Sequence, residues 1–262
     1  MPRSEFEIVV GDNASPQGEA QVVETIAGRA RLVTISERGA GPARNGAVAA
    51  AEGEFLAFTD CDCLPEPEWL AEGVAALQEY DFVGGGMTVL VEDSARLSPT
   101  EAFEREFAFN NRAYVEKKGF TVTANLFCSR ALFDRVGGFR VGLSEDAEWC
   151  ERARQAGYRL GYAPRAMVGH PARRTWCDLL GKWRRLNVET YAFFTMRPGG
   201  RARWLLRSAA LPLSALAHTP RVMASRKLTT PGQKVGALTT LYRLRFWRFF
   251  DALRLSMTRD GV

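Results

Sequence analysis

The chain has few of the residues that build disulfide frameworks or zinc sites. It contains five cysteines and two histidines in 262 residues. Cys61 and Cys63 flank Asp62, and the other three cysteines stand alone in the sequence. This spacing matches no zinc template, and an odd number leaves at least one cysteine unpaired. We therefore expect reduced cysteines that pack in the interior, and a reducing, cytosolic compartment.

Long apolar runs are also lacking. The segment 204–217 is apolar but is interrupted by Arg207 and Pro212, and it is shorter than the roughly twenty residues that a spanning helix needs. Met1-Pro2-Arg3-Ser4 is followed at once by a strand-like segment, so no secretory signal is visible. The sequence predicts neither a membrane-spanning helix nor a cleaved leader.

Acidic residues are scarce in the last third of the chain. Residues 173–262 carry 18 Lys/Arg and 4 Asp/Glu, whereas residues 1–172 carry 17 Lys/Arg and 26 Asp/Glu. Pro198-Gly199-Gly200 marks a break between helices. The sequence therefore predicts two parts, a body at 1–197 and a basic helical tail at 198–262, and the tail's charge predicts contact with an anionic surface.

The tail segment 235–257 has the pattern of an interfacial membrane helix. Apolar residues share one helical side and arginines accompany them: Leu238, Tyr242, Phe246, Phe249 and Leu253, with Arg243, Arg245, Arg248 and Arg254. Such a helix places its apolar side at the headgroup boundary and its arginines on anionic lipids. The alternative is that the tail helices pack on the rest of the chain. No nucleic-acid recognition motif is present, and we expect no nucleic-acid partner.

Strand-like and helical segments alternate through the body. The predicted strands are 6–10, 32–35, 55–59, 82–91 (interrupted by three glycines) and 120–127. The predicted helices are 19–27, 43–51, 67–80, 101–115, 131–136, 145–156 and 176–194. This alternation predicts an α/β fold with a mostly parallel central sheet that is flanked by helices.

An acidic pair, Asp60 and Asp62, follows the apolar run 55–59. At a spacing of two residues in an extended chain, both side chains point the same way. Two convergent carboxylates at the carboxyl end of a strand suit Mg²⁺ or Mn²⁺ carrying a diphosphate, and ligands of open α/β sheets bind at that edge. A solvated turn ahead of Pro65 is the alternative.

Several further motifs occur in a fixed order around this pair. They are Asp12-Asn13-Ala14-Ser15, Gly41-Pro42-Ala43-Arg44-Asn45-Gly46, Gly137-Gly138-Phe139, Ser144-Glu145-Asp146, Gly157-Tyr158-Arg159, Pro164 and His170. In this order and spacing, residues 5–197 resemble a family 2 glycosyltransferase of the GT-A (nucleotide-diphospho-sugar transferase) fold. The family's first strand and helix have no counterpart here, which would leave two rows of backbone groups unpaired. We expect a wrongly placed start or a fragment, with a true short form as the alternative.

The resemblance implies a divalent cation, Mg²⁺ or Mn²⁺, that bridges the donor diphosphate and neutralises its developing charge. Asp62 matches the direct metal ligand, and Asp60 matches a residue that holds the ribose or assists the metal. His170 matches a position that supplies a further metal ligand in some GT-A enzymes. A structural histidine at a strand end is the alternative for His170.

Eight residues are predicted to contact the nucleotide sugar: Asp12, Asn13, Ser15, Arg44, Asn45, Asp60, Asn125 and Arg184. A carboxylate at a strand end, such as Asp12, can accept hydrogen bonds from a base or ribose. Arg44 lies in the first turn of a helix, where it can reach a diphosphate with the help of the helix N-terminus. The alternatives are a turn at Asp12, a capping or surface role for Arg44 and a structural role for Asn125.

Glu145 and Asp146 match the family's catalytic acidic pair, in which the second residue usually acts as base. A helix N-terminus favours the ionised carboxylate that a general base must be, although acidic residues are common in first helical turns. A base on the acceptor side and a metal on the leaving-group side imply single displacement with inversion. The processive Gln-x-x-Arg-Trp motif is missing, which favours transfer of a single sugar.

The prediction is therefore an inverting, metal-dependent glycosyltransferase that uses a UDP-linked donor and a glycan or lipid-linked acceptor of the cell envelope. It would lie in the cytoplasm, peripherally bound to the inner face of the membrane. The alternative is a non-catalytic paralogue or truncated fragment that binds a partner or a membrane without turnover.

Overall fold

The computed structural model describes residues 1–258. Strands and helices alternate as far as residue 171, and residues 172–258 are mostly helical. The strands are β1 (Val9–Asp12), β2 (Arg31–Thr34), β3 (Phe55–Phe58), β4 (Leu64–Pro65), β5 (Phe82–Leu90), β6 (Leu126–Ser129) and β7 (Leu160–Pro171). The helices are α1 (Glu19–Ile26), α2 (Ala40–Ala50), α3 (Trp69–Ala76), α4 (Pro99–Phe107), α5 (Asn111–Ala113), α6 (Arg130–Val136), α7 (Glu145–Gln155), α8 (Trp176–Thr195), α9 (Gly200–Met223) and α10 (Pro231–Met257).

Two predicted elements differ from the observed ones. The predicted helix 101–115 is divided into α4, α5 and a π turn at Tyr114–Lys118. The predicted strand 120–127 is a 3-10 turn at Thr123–Asn125 that leads into β6. The side chain of Asn111 explains the second difference, because it accepts from the Val122 N–H at 3.3 Å and takes that group out of a strand ladder.

The strands form two sheets rather than one. β1 and β2 pair in parallel, with Val9 opposite Arg31, and the other five strands have the order β3-β6-β5-β7-β4. β6 runs antiparallel to both of its neighbours, β3 and β5. The sheet is therefore mixed at β6, which the sequence did not indicate, because an apolar strand pattern is the same in either chain direction.

The sequence suggested that three glycines interrupt this strand, but β5 is continuous. The glycines instead let other groups approach its backbone closely. A Cβ added at Gly85 would lie 2.2 Å from the Ala166 carbonyl oxygen and 2.4 Å from the Asn125 amide. Real Cβ contacts are never this short, so no side chain fits at this position.

The described residues form two compact units. The first unit comprises Met1–Met87 and Asn111–Val168, and the second comprises Thr88–Asn110 and the chain from Gly169 onward. β5 and β7 each begin in the first unit and end in the second. α8 shares the second unit with α9 and α10, and the predicted boundary after residue 197 stays a prediction.

An aromatic core in the first unit supports α7. The indole of Trp149 packs edge-on against Phe82, with ring centroids 5.6 Å apart, and also contacts Phe133 and Phe139. Its Nε1–H donates to the Gly137 carbonyl at 2.9 Å. Because Trp149 belongs to α7, these contacts fix the helix whose first turn carries Glu145 and Asp146.

The second unit packs α4, α8, α9 and α10 around one apolar cluster. Buried Glu104 of α4 accepts from Lys182 Nζ at 3.0 Å and from the Arg173 backbone N–H at 2.7 Å. Burial lowers the pKa of Lys182, and the charge of Glu104 opposes that effect. A buried charge of this kind is stable only with such partners.

Some side chains on the predicted lipid-facing side of α10 are packed inside the protein, and others are exposed. Leu238 and Tyr242 pack against the core of the second unit, whereas Phe246 is 47% exposed. The alternative, packing on the protein, therefore holds for both ends of the helix, since Ala252 and Leu255 are buried as well. None of the described helices is both long and apolar enough to cross a bilayer.

We expect Trp149→Ala to lower the free energy of unfolding by about 3–5 kcal/mol, because a large buried ring leaves a cavity among Phe82, Phe133 and Phe139. Chemical denaturation followed by circular dichroism measures the change. Val23→Ala, at a half-exposed position of α1, is the matched control. A loss below about 1 kcal/mol for Trp149→Ala would show that this aromatic cluster does not hold the first unit together.

Candidate functional site

Asp60, Asp62 and Cys63 lie directly after β3, with the ligand atoms of these side chains within 4.8 Å of one another. Asp62 is exposed, Asp60 is partly buried and Cys63 is buried. Burial, together with the charge of Asp60, raises the pKa of Cys63 to about 12, so this thiol stays protonated at neutral pH. The available donors are therefore carboxylate oxygens, which fit Mg²⁺ or Mn²⁺ better than a thiol-binding metal.

Arg44 joins two acidic residues that are far apart in the sequence. Its Nη2 lies 2.5 Å from Asp60 Oδ1, and its Nη1 forms a second ion pair with Glu145. Burial alone would lower the pKa of Arg44, but the charges of Asp60 and Glu145 raise it. A Cβ at Gly41 would lie 3.0 Å from Glu145 Oε2, so the small residue lets this carboxylate approach α2.

Asp146 occupies the second position of α7 and faces the segment before β6. Its Oδ1 accepts from the Thr123 N–H at 3.1 Å and from the Thr123 hydroxyl at 2.8 Å. Loss of surrounding water raises the pKa of Asp146, and the charge of Arg44 and the bonds from Thr123 oppose that rise. Thr123 was missed by sequence reasoning, because it lies where a strand was expected and no local pattern marks it.

The motif after β1 forms a turn. Asp12 accepts from the Ser15 N–H at 3.2 Å and from the Ser15 hydroxyl. Asn13 donates to the carbonyl oxygens of Glu37 and Gly39. These contacts tie the end of β1 to the loop before α2. Their further role in binding a nucleotide sugar stays a prediction.

Two predicted sugar contacts are engaged with the protein itself. Asn45 donates to the Phe139 carbonyl and accepts from the Phe139 N–H, both at 2.8 Å. Asn125 is fully buried; it accepts from Trp69 Nε1 at 2.9 Å and donates to the carbonyls of Gly86 and Ala166. Both Nδ2 hydrogens of Asn125 are used, so this amide could donate to a bound sugar only by giving up one of these bonds, whereas Asn45 keeps a second N–H.

His170 and Arg184 belong to the second unit. His170 is buried near the end of β7, with Nδ1 2.8 Å from the Pro171 carbonyl. Since a carbonyl oxygen only accepts, Nδ1 carries the proton and Nε2 is the nitrogen suited to a metal. Arg184 is exposed on α8 and lines an open cleft with Trp247, Phe250, Asp251 and Arg254.

The site therefore consists of an acidic strand end, an acidic helix start and one arginine that binds both. Residues 2–147 match the family described as Glycosyl transferase family 2. The chain belongs to glycosyl transferase family 2. This family membership confirms the resemblance that the motifs indicated.

Two curated glycosyltransferases are similar in sequence to this family 2 chain. Glycosyltransferase AglE of Haloferax volcanii is 31% identical over 183 residues, which is 66% of this chain and 59% of the relative. Pre-mycofactocin glycosyltransferase of Mycobacterium tuberculosis is 31% identical over 153 residues, 55% of this chain and 33% of the relative. The chain thus spans 59% and 33% of the length of these relatives.

A solved structure shows the fold of this family 2 chain. Mannosyltransferase PcManGT from Pyrobaculum calidifontis, in complex with GDP-Man and Mn²⁺, matches with a TM-score of 0.58 and 21% identity. The match covers 99% of this chain and 80% of that structure. The predicted GT-A fold is confirmed.

We expect Asp146→Asn to stabilise the folded protein at neutral pH. When the pKa of a carboxyl group is raised on folding, the group costs no stability at a pH below its ordinary pKa of 3.8. It reduces stability as the pH rises above that value and through the pKa in the folded state. The gain in Tm of Asp146→Asn over wild type should therefore increase with pH.

Thermal melts between acidic and neutral pH measure this gain. Asp134→Asn, at an exposed position of α6, is the control and should show no such trend. A gain that stayed constant with pH would contradict the raised pKa.

Proposed function

We propose that the chain is an inverting, metal-dependent glycosyltransferase that moves a sugar from a nucleotide-sugar donor to a glycan or lipid-linked acceptor. The observation that carries the proposal is the double ion pair of Arg44 with Asp60 and Glu145. It supports a single site that contains both the acidic strand end and the acidic helix start.

Asp146 is the proposed general base. Both bonds from Thr123 fall on Oδ1, so Oδ2 is the oxygen to take the proton from an acceptor hydroxyl. The helix N-terminus stabilises the ionised form, while the loss of water around the carboxyl group raises its pKa and makes it a stronger base. Removal of the proton as the hydroxyl attacks the anomeric carbon, opposite the departing nucleotide, gives inversion.

Asp62 and Asp60 are the proposed residues that hold Mg²⁺ or Mn²⁺. When bound, the cation would neutralise charge on the departing nucleoside diphosphate. The oxygen donors after β3 support this assignment, as does the Mn²⁺ in the PcManGT complex. His170 as a further ligand stays a prediction of the resemblance.

The remaining contacts of the donor are proposed from the sequence motifs. Arg44 holds Asp60 and Glu145 in place, and the turn of Asp12, Asn13 and Ser15 is proposed to hold the nucleoside. A UDP-linked donor rests on the resemblance alone, because PcManGT was solved with GDP-Man. The donor panel below therefore includes four bases.

We also propose a cytoplasmic protein that binds the inner membrane face peripherally and acts on an envelope glycan. Leu206, Leu213 and Leu216 of α9 are 74, 68 and 60% exposed, and Phe250 of α10 is 62% exposed. Exposed apolar side chains together with an excess of arginine are typical of surfaces that meet anionic lipid.

Calorimetry with UDP-, GDP-, CDP- and dTDP-sugars tests the site. We expect one nucleotide class to bind in the presence of Mn²⁺ and to bind at least about tenfold more weakly after chelation, because the diphosphate loses its cation. Asp62→Asn should have the same effect as chelation, and the exposed variant Glu68→Gln is the control. Binding unaffected by Mn²⁺ and by Asp62→Asn would refute the metal assignment.

Asp146→Asn should reduce kcat about 10²–10⁴-fold while the donor Kd stays close to wild type, because only the proton acceptor is lost. The wild-type rate should rise with pH as Asp146 deprotonates, with a midpoint above the ordinary carboxyl pKa. Asp134→Asn is the matched control. Full activity of Asp146→Asn would exclude it as the base, and donor binding without turnover by wild type would support the non-catalytic alternative.

A further inference from the structure

The packed helices α9 and α10 of the second unit carry three arginines whose charges act on one another. Arg207 lies on α9, and Arg245 and Arg248 lie on α10. Burial lowers the pKa of Arg248, and the charges of Arg207 and Arg245 lower it further. Burial and the charge of Arg207 likewise lower the pKa of Arg245. The three guanidinium groups therefore repel one another in a partly dry environment.

Arg248 is the most deeply buried arginine of this cluster. It is 5% exposed, and its guanidinium carbon lies 3.8 Å from the ring centroid of Trp183 on α8. Its Nε donates to Asn187 Oδ1 at 3.3 Å. Arg207 reaches the surface, and its guanidinium packs near Phe194 and Trp204. The cluster thus extends from a closed interior to a residue that solvent can reach.

Three buried donors on α8, α9 and α10 have no hydrogen-bond partner within the described residues. They are Arg245 Nε, Trp183 Nε1 and the Ser208 hydroxyl. A buried donor without a partner costs roughly 1–3 kcal/mol, and native structures seldom leave several together. These donors belong to α8, α9 and α10, the same three helices that supply and support the arginines.

The one acidic group acting on Arg248 does not balance the cluster. Asp251 accepts from Asn187 Nδ2 at 2.9 Å and from Arg254 at 2.9 Å. Its charge opposes the lowering of the Arg248 pKa less than burial and the two neighbouring arginines lower it. Positive charge therefore remains in excess, and the unpartnered groups are donors. The missing component is an anion with several acceptor oxygens.

We propose that Arg207, Arg245 and Arg248, together with Trp183 and Ser208, form a binding site for a phosphate group. Guanidinium groups bind phosphate oxygens through two parallel bonds, and the tetrahedral anion offers enough acceptors for the unpartnered donors. A bound phosphate would relieve the repulsion among the arginines. The site shares no residue with the proposed transferase site, and the proposal does not rest on the proposed function.

The phosphate has two possible sources, which share this chemistry. One is free phosphate or pyrophosphate, and the other is the headgroup of an anionic lipid. Leu206, directly before Arg207, is 74% exposed, and Phe246, directly after Arg245, is 47% exposed. An apolar chain can contact such residues while its phosphate binds the arginines.

The test uses the full chain, with Arg245→Met as the main variant. Arg245 has no bond to lose at Nε, so this variant should melt no lower than wild type. At constant ionic strength and with chelator present, inorganic phosphate should raise the Tm of wild type. That rise should disappear in Arg245→Met, with Kd weakened at least about tenfold for the loss of a charge-assisted bond.

Arg207→Met, which changes a surface residue, repeats the test if Arg245→Met does not fold. Arg203→Met removes the same charge from an exposed position of α9 and is the control. In a second arm, the three variants and wild type are sedimented with vesicles of phosphatidylcholine alone or with phosphatidic acid.

Loss of free-phosphate binding in the cluster variants alone would support a soluble ligand. Loss of phosphatidic-acid binding in the cluster variants alone would support a lipid headgroup. If Arg245→Met and Arg207→Met match Arg203→Met in both arms, or if wild type responds to neither ligand, the proposal is wrong.

Discussion

Arg44 is a single cation held between carboxylates that lie 85 residues apart in the sequence, Asp60 and Glu145. Without it, the end of β3 and the start of α7 would present facing negative charge in a region that water reaches poorly. The positive charge of Arg44 offsets this repulsion and holds the two carboxylates in fixed positions. Because the two ion pairs use different nitrogens of one planar group, they also limit the angle at which α7 meets the sheet. The position of Asp146, one residue after Glu145, follows from that arrangement.

The sequence predicted those features that depend on local pattern. The apolar pattern predicted a strand before Asp60 and Asp62 and a helix that begins with Glu145 and Asp146, and the structure has both elements at these positions. The sequence did not predict what depends on side-chain amides. Asn111 takes the Val122 N–H away from a strand, and Asn45 binds the Phe139 backbone. Such bonds join distant segments, and no periodicity in the sequence marks them.

Helix α10 shows a second limit of prediction from sequence. A heptad-like apolar pattern in α10 identifies one apolar side, but this helix packs against α4, α8 and α9 and so buries more than one side. Arg248 was grouped by pattern with the arginines that face lipid, yet it lies over the Trp183 ring in the interior. Charge counted along a sequence does not distinguish a solvated cation from one enclosed by aromatic rings.

The buried amide of Asn125 has a consequence for motion. Its three bonds connect Trp69 of α3 to Gly86 of β5 and Ala166 of β7, which are neighbouring strands of the sheet. None of the three segments can open alone without leaving a polar group unpaired in the interior. Hydrogen exchange of their amides should therefore occur through one shared opening event. The segments that Asn125 joins would then behave as one rigid body within the first unit.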